Sequence, residues 1–205
     1  MTALVALWLA AAAPAPATTA PNTLVTPVPA PAEASWTVPI VHSLGLLAGM
    51  RLALSLAWPE AYDPFPLRRS TRQFARAYDR PPEFRRDRWL LESDGDPWAI
   101  NVVGHGLFGA EVYGRVRQCG GAPWQALAFA AGTSVVWEYG IESFSKRPSA
   151  IDLVTTPVIG AVLGEARYRA QRWLRRRERG FWRRFGEILV DPLGEGERAV
   201  LKTRC

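Results

Sequence analysis

Four uncharged runs set the limits on what this chain can become: Ala34–Met50, Pro97–Ala110, Cys119–Trp137 and Leu153–Gly164. A helix that crosses a bilayer needs ~20 mostly apolar residues. Only the third run approaches that length, and it carries three Gly, a Gln, a Thr and a Ser. Runs of this kind suit helices buried in a domain or dipping into a membrane. They predict a mainly α fold: one compact bundle of about four helices over 36–190, membrane-associated or partly membrane-embedded. The 205 residues and 48% apolar content suffice for one such core. A domain lying on or partly in a membrane is expected to be released by high pH or high salt, whereas retention after carbonate washing indicates true spans.

Local signals place the helices. Pro39–Trp58 has a helical apolar pattern broken by Arg51 and ended by Pro59. Residues 59–96 are charged and Pro-rich, with a short helix expected at 70–78. Asp96-Pro97 reads as an N-cap followed by proline at the first helical position, opening a helix that ends near Arg117 before Cys119-Gly120-Gly121. Pro123 opens a second helix running to about Phe144, broken by Lys146-Arg147-Pro148. Ser149 with Asp152 resembles a capping box and starts a third, expected to bend at Pro157 and continue into an arginine-rich stretch. Phe181–Val190 is a short amphipathic piece.

The front end reads as processing rather than fold. Leu4–Ala13 is a short apolar run followed by small residues and Pro, the pattern of a signal peptide over 1–17, although no Lys or Arg precedes it. Residues 18–35, rich in Pro, Ala, Thr and Val, read as an extended linker. Residues 191–205 read as a polar, turn-rich tail. Export to the cell envelope, periplasm or membrane, is the expectation. No cysteine follows the apolar run closely, so lipid attachment at a processed N-terminal cysteine is not expected.

Charge is local. Nine Arg and one Glu fall between 167 and 184, so that stretch carries +8 and the remainder −2, in a chain of net charge +6. Such a face meets anionic lipid or nucleic acid, or is simply solvated. For an exported chain a membrane lipid surface ranks above nucleic acid, and no nucleic-acid partner is expected. Nine Trp point the same way, since the indole ring favours half-wet interfaces. Cys119 and Cys205 offer no metal-ligand spacing; one bridge in an oxidising compartment is allowed but not required.

The chemistry-bearing residues recur at helical spacing. Asn101, His105, Gly109 and Tyr113 lie four apart on one face, and Gly109 leaves that face open to close approach. Glu138 and Glu142 share a face of the next helix, and Arg147 and Asp152 sit at the turn after it. If these helices are antiparallel neighbours, the His meets the Glu pair. Read functionally, His105, Glu138 and Glu142 are candidate catalytic or ligand residues, with Asn101, Tyr113, Arg147 and Asp152 in support. The metal and cofactor are left open, because His105 acts equally well as a ligand or as a general base. Read structurally, the same residues fix helix register: Arg147 pairs with Glu138 or Glu142, His105 bonds a carboxylate, and Asp152 serves the helix start. Two further patterns are set aside. Gly104–Gly109 matches G-x-G-x-x-G but lacks the following βα units of a dinucleotide fold. Ser93–Asp96 resembles a calcium loop without its distal Glu.

Together these motifs resemble a known family. Asp94-Gly95-Asp96-Pro97-Trp98, Asn101-x-x-Gly104-His105 with Gly109, Trp137-Glu138-Tyr139-Gly140-Ile141-Glu142, Arg147-Pro148-Ser149-x-x-Asp152-Leu153, Thr156-Pro157 and Gly160-x-x-x-Gly164-Glu165 are similar to the bacterial domain of unknown function 3943 over about residues 60–190. The family often has Pro where this chain has Gly106, which removes weight from the glycine fingerprint. The resemblance implies the envelope of Gram-negative bacteria and no established activity. A looser pattern, a His, a Glu, then Asp-Leu with Gly-x-x-x-Gly in successive helices, is similar to VanZ-like membrane proteins. Two functions are compatible with all this. One is a non-catalytic membrane-associated envelope component. The other is a membrane-facing hydrolase or transferase acting on a lipid or lipid-linked substrate, with His105 as base, Glu138 and Glu142 as carboxylates and Arg147 clamping a phosphate. An enzyme needs the cluster open to a cleft; a structural network is sealed.

Overall fold

Glycine decides the centre of the fold. In the computed structural model, which describes residues 34–57, 59, 67–201 and 205, helices α3 (His105–Gln118) and α5 (Asp152–Arg175) pack backbone against backbone. A Cβ on Gly109 would stand 2.0 Å from the Thr156 carbonyl oxygen, and one on Gly160 2.5 Å from the Gly109 carbonyl carbon. Gly164 continues the seam, one turn on, against Tyr113 and the Ala110 carbonyl. The openness expected at Gly109 is therefore filled by α5 itself.

The other helices are arranged on this pair. α4 (Pro123–Val135) returns antiparallel to α3 through a turn at Gly120, whose φ of +91° favours glycine. Pro123 occupies its first turn and Gln125 Oε1 accepts the Ala122 N–H (2.7 Å). α1 (Thr37–Ala57) lies along α3, where His42 approaches Glu111 (3.4 Å) and contacts Glu197. α2 (Leu67–Tyr78) packs near Phe144, and α6 (Phe181–Val190) folds back on α5. The apolar core is small, built on Leu47, Phe108, Val112, Tyr113, Val116, Ala126, Ala130 and Trp137. No strand occurs among the described residues; Glu83 and Ser149 make one isolated parallel bridge.

The chain after 191, expected to be a polar tail, is instead part of the domain. α7 (Pro192–Leu201) buries Glu195, and Cys205 is bonded to Cys119, 86 residues away. Its polarity misleads because its charges face inward. Arg115, 1% exposed, lies 3.2 Å from Glu111, 3.5 Å from Glu197 and 3.8 Å from Asp191. Asp191 Oδ2 in turn accepts hydrogen bonds of 2.8 Å each from Gln118, Gln171 and Arg198.

Apolar side chains do the reverse and face outward. Ile100, Val103 and Leu107 form one exposed stripe, Trp124, Leu127 and Val135 a second, and Val154, Val158 and Val162 a third. Among the described residues, buried polar and charged side chains outnumber buried apolar ones. The expected signal peptide and nearly all of the linker lie outside the described residues.

Candidate functional site

Two wide helical turns position the polar cluster. The helix expected from Pro97 begins with a π-helical turn, Ala99–Gly104, before α3; the one expected to reach Phe144 passes from α4 into a second π turn, Val136–Ile141, and a 3-10 turn, Glu142–Phe144. Asn101 lies in the first and Glu138 in the second, both 0% exposed. Such turns are uncommon in helices and frequent where side chains must be re-aimed.

His105, Glu138 and Asp152 converge here. One ligand-type atom from each lies within 4.8 Å of the others. His105 Nδ1 hydrogen-bonds Thr156 Oγ1 at 3.0 Å, and its Nε2 lies 3.4 Å from Asp152 Oδ2. Glu138 Oε2 accepts the Ser149 N–H at 2.7 Å. Asp94, which sequence reasoning set aside with the calcium-like loop, closes another side: Asn101 Nδ2 donates to its Oδ1 (2.8 Å), and Asp94, Asp96 and Asp152 form a second close group. Lys146 bridges to Asp96 and lies 3.4 Å from Glu142 Oε1, covering the cluster.

Several expected roles move. Arg147 does not pair with either glutamate; it donates to the Pro81 carbonyl (2.5 Å), and Lys146 takes its place beside Glu142. Tyr113 shares the face of His105 but sits two turns away, donating to Glu165 Oε2 (3.2 Å). Asp96 does not cap the helix, since its carboxylate goes to Lys146. Half of the capping box forms, with Asp152 N–H donating to Ser149 Oγ (3.2 Å). Its reciprocal half does not: Ser149 N–H goes to Glu138. The Asp152 carboxylate is thus released from helix capping and turned toward His105.

Burial governs the protonation of the cluster. It pushes Asp152 up to about 8, with the Asp94 charge adding to the effect. Burial and the Glu142 carboxylate push Glu138 up likewise. Burial, with Lys146 nearby, brings His105 down to about 4. Burial also acts to raise Asp94, but the Asn101 hydrogen bond and its neighbours outweigh it and hold Asp94 below the ordinary carboxylate value. The cluster is sealed: Asn101, Glu138 and Asp152 have no exposed surface, Glu142 has 3% and His105 8%. A cavity of about 630 Å³ opens elsewhere, lined by Leu46, Leu107, Phe108, Leu193 and the Glu111–Arg167 pair.

A helical domain with a buried polar and charged cluster and exposed apolar stripes is the class these features define. The family described as a domain of unknown function, DUF3943, matches residues 90–193, just over half of the chain, and the chain belongs to that family. The match spans both π turns, the glycine seam and every residue of the polar cluster. No curated protein and no solved structure matches the chain.

Proposed function

We propose that the protein is a membrane-associated component of the cell envelope, inserting its apolar faces into one leaflet and using the polar cluster to hold its helices in register. The observation that carries this reading is the inverted distribution of side chains, with valines 154, 158 and 162 outside and Glu138, Asp152 and Arg115 inside. Lipid tails solvate outward apolar groups, so helices among them pack through small residues and polar contacts rather than by the hydrophobic effect. The seam at Gly109, Gly160 and Gly164 and the buried polar groups fit that solvent.

Depth follows from length. The α5 stripe from Val154 to Leu163 rises roughly 15 Å, about half of a ~30 Å hydrocarbon core. Beyond it the helix carries Arg169, Arg172 and Arg175, which suit head groups. α1 is long and apolar enough to cross a membrane by length and composition. The contacts of His42 with Glu111 and of Arg51 with Ser145 (3.0 Å) tie it to the bundle, while most of its apolar window stays outside the protein interior. The Cys119–Cys205 bridge supports an oxidising compartment. The sealed cluster favours this non-catalytic role over the hydrolase or transferase.

Fractionation tests it. The protein is expected in the membrane fraction, to float with liposomes, and to be released by high pH. Retention after carbonate washing would replace insertion by true spans, and a wholly soluble protein would end the membrane reading.

A further inference from the structure

We propose that His105, Glu138 and Asp152 bind a single divalent cation of the Zn²⁺ or Mn²⁺ kind, sealed from solvent, which ties α3, the π turn after α4, and α5 together. The inference stands apart from membrane insertion.

Its first support is geometric. Ligand atoms bound at ~2.1 Å sit roughly 3.0–4.3 Å apart around one cation. The three side chains already place theirs within 4.8 Å, and the 3.4 Å from His105 Nε2 to Asp152 Oδ2 is a tetrahedral edge for such bonds.

Unsatisfied lone pairs supply the second. Asp152 is 0% exposed, and the donor beside its carboxylate is the Ser149 hydroxyl, which faces Asp94 as well; neither oxygen makes a well-formed hydrogen bond, and Glu138, also 0% exposed, leaves Oε1 without one. Buried oxygens almost always find a donor, and three in one pocket without a well-formed bond call for a cation or a proton.

The third is outer-shell support. His105 uses Nδ1 on Thr156 Oγ1, which fixes the ring with Nε2 toward Asp152. Ser149 N–H holds Oε2 of Glu138 and leaves Oε1 without a hydrogen-bond donor. Ligating histidines and carboxylates are commonly held this way. One imidazole with two carboxylates suits Zn²⁺ or Mn²⁺ better than the all-oxygen preference of Ca²⁺ or Mg²⁺. Both cysteines are in the disulfide, so no thiolate competes.

The alternative occupant is a proton shared by Asp152 and His105, and Asp152→Asn separates the two. Asparagine keeps the shape and offers an N–H to Nε2, so a proton-linked pair tolerates it; it has no anionic oxygen for a cation. The purified full chain, stripped with EDTA, is titrated with Zn²⁺ and with Mn²⁺ by calorimetry and followed by thermal melting. We expect one equivalent bound, a higher Tm with metal, and at least ~100-fold weaker binding in Asp152→Asn and His105→Ala. In EDTA, Asp152→Asn is expected to melt close to the unsubstituted chain. No binding of either metal overturns the proposal, and so does Asp152→Asn binding with unchanged affinity. Should the variants not fold, Co²⁺ in the unsubstituted chain decides. Intense visible bands of a four- or five-coordinate nitrogen–oxygen site support the proposal, and the weak spectrum of aqueous Co²⁺ refutes it.

Discussion

At the scale of single residues, the glycine seam makes the sharpest demand. Gly109→Ala would place a methyl 2.0 Å from the Thr156 carbonyl oxygen, and backbone on both sides leaves little room to yield. The expected loss is about 3 kcal/mol or more, read by chemical or thermal unfolding. Gly132 is the internal control: it lies in α4, and a Cβ there meets nothing within 4 Å. Gly132→Ala should gain roughly 0.5–1 kcal/mol. The seam was legible, since Gly109 and the Gly160-x-x-x-Gly164 pair stand at helical spacing, but what fills it was not. His105, Glu138 and Asn101 were equally legible from period alone. Asp94 was not, because a short acidic loop takes its meaning only from what folds against it. Arg147 and Lys146 are adjacent, and spacing cannot say which of two neighbouring cations turns inward.

At the scale of elements, α6 and the Arg115 network carry the testable consequences. α6 exposes Phe181, Trp182, Phe185, Ile188 and Leu189 beside Arg183 and Arg184, and its bounds agree with the amphipathic segment read from sequence. Replacing Trp182 and Phe185 together by serine should weaken flotation with anionic liposomes while leaving the melting temperature nearly unchanged, because both rings are exposed. The Arg115 network should set the acid limit of stability. Asp191 is held below its ordinary value: burial opposes the charge, and hydrogen bonding from Arg198 with the charge of Arg115 overcomes it. Glu111 behaves alike, with His42 and Arg167 outweighing burial. A carboxylate depressed in the folded state contributes its stability above its unfolded pKa and loses it as pH falls through the folded one. Stability should therefore drop below about pH 4, the ordinary carboxylate range. Melting across pH 3–6 would show it, and Asp191→Asn should flatten the slope. This network is not legible in the sequence because its members come from four separate stretches, with the i,i+4 pair of Glu111 and Arg115 as a local hint. The π turns escaped for a related reason: their residues have ordinary helical composition, and only tertiary packing selects the wider turn.

At the scale of the whole molecule, the disulfide ties the C-terminal end of the chain to the turn after α3. With Cys119 and Cys205 separated by 86 positions in sequence, its removal frees a long loop of unfolded chain. Reduction, or Cys205→Ser, should cost about 2–4 kcal/mol, measured as the difference in unfolding with and without reductant. Composition and run length were enough to identify a helical bundle, because uncharged runs bounded by Pro and Gly leave few other architectures. They were not enough to separate tail from domain, since the decisive contacts of α7 are charged and inward-facing. The same corner holds more than the bridge. Ser35 N–H donates to the Cys119 carbonyl (3.0 Å), so Ser35 and Cys205 meet at one turn, between α3 and α4. Reporters fused before Ser35 and after Cys205 would then sample the same side of any barrier on which the domain rests. Joining those two points and opening the chain in the exposed stretch at 176–180 should yield a permuted protein with the same packing.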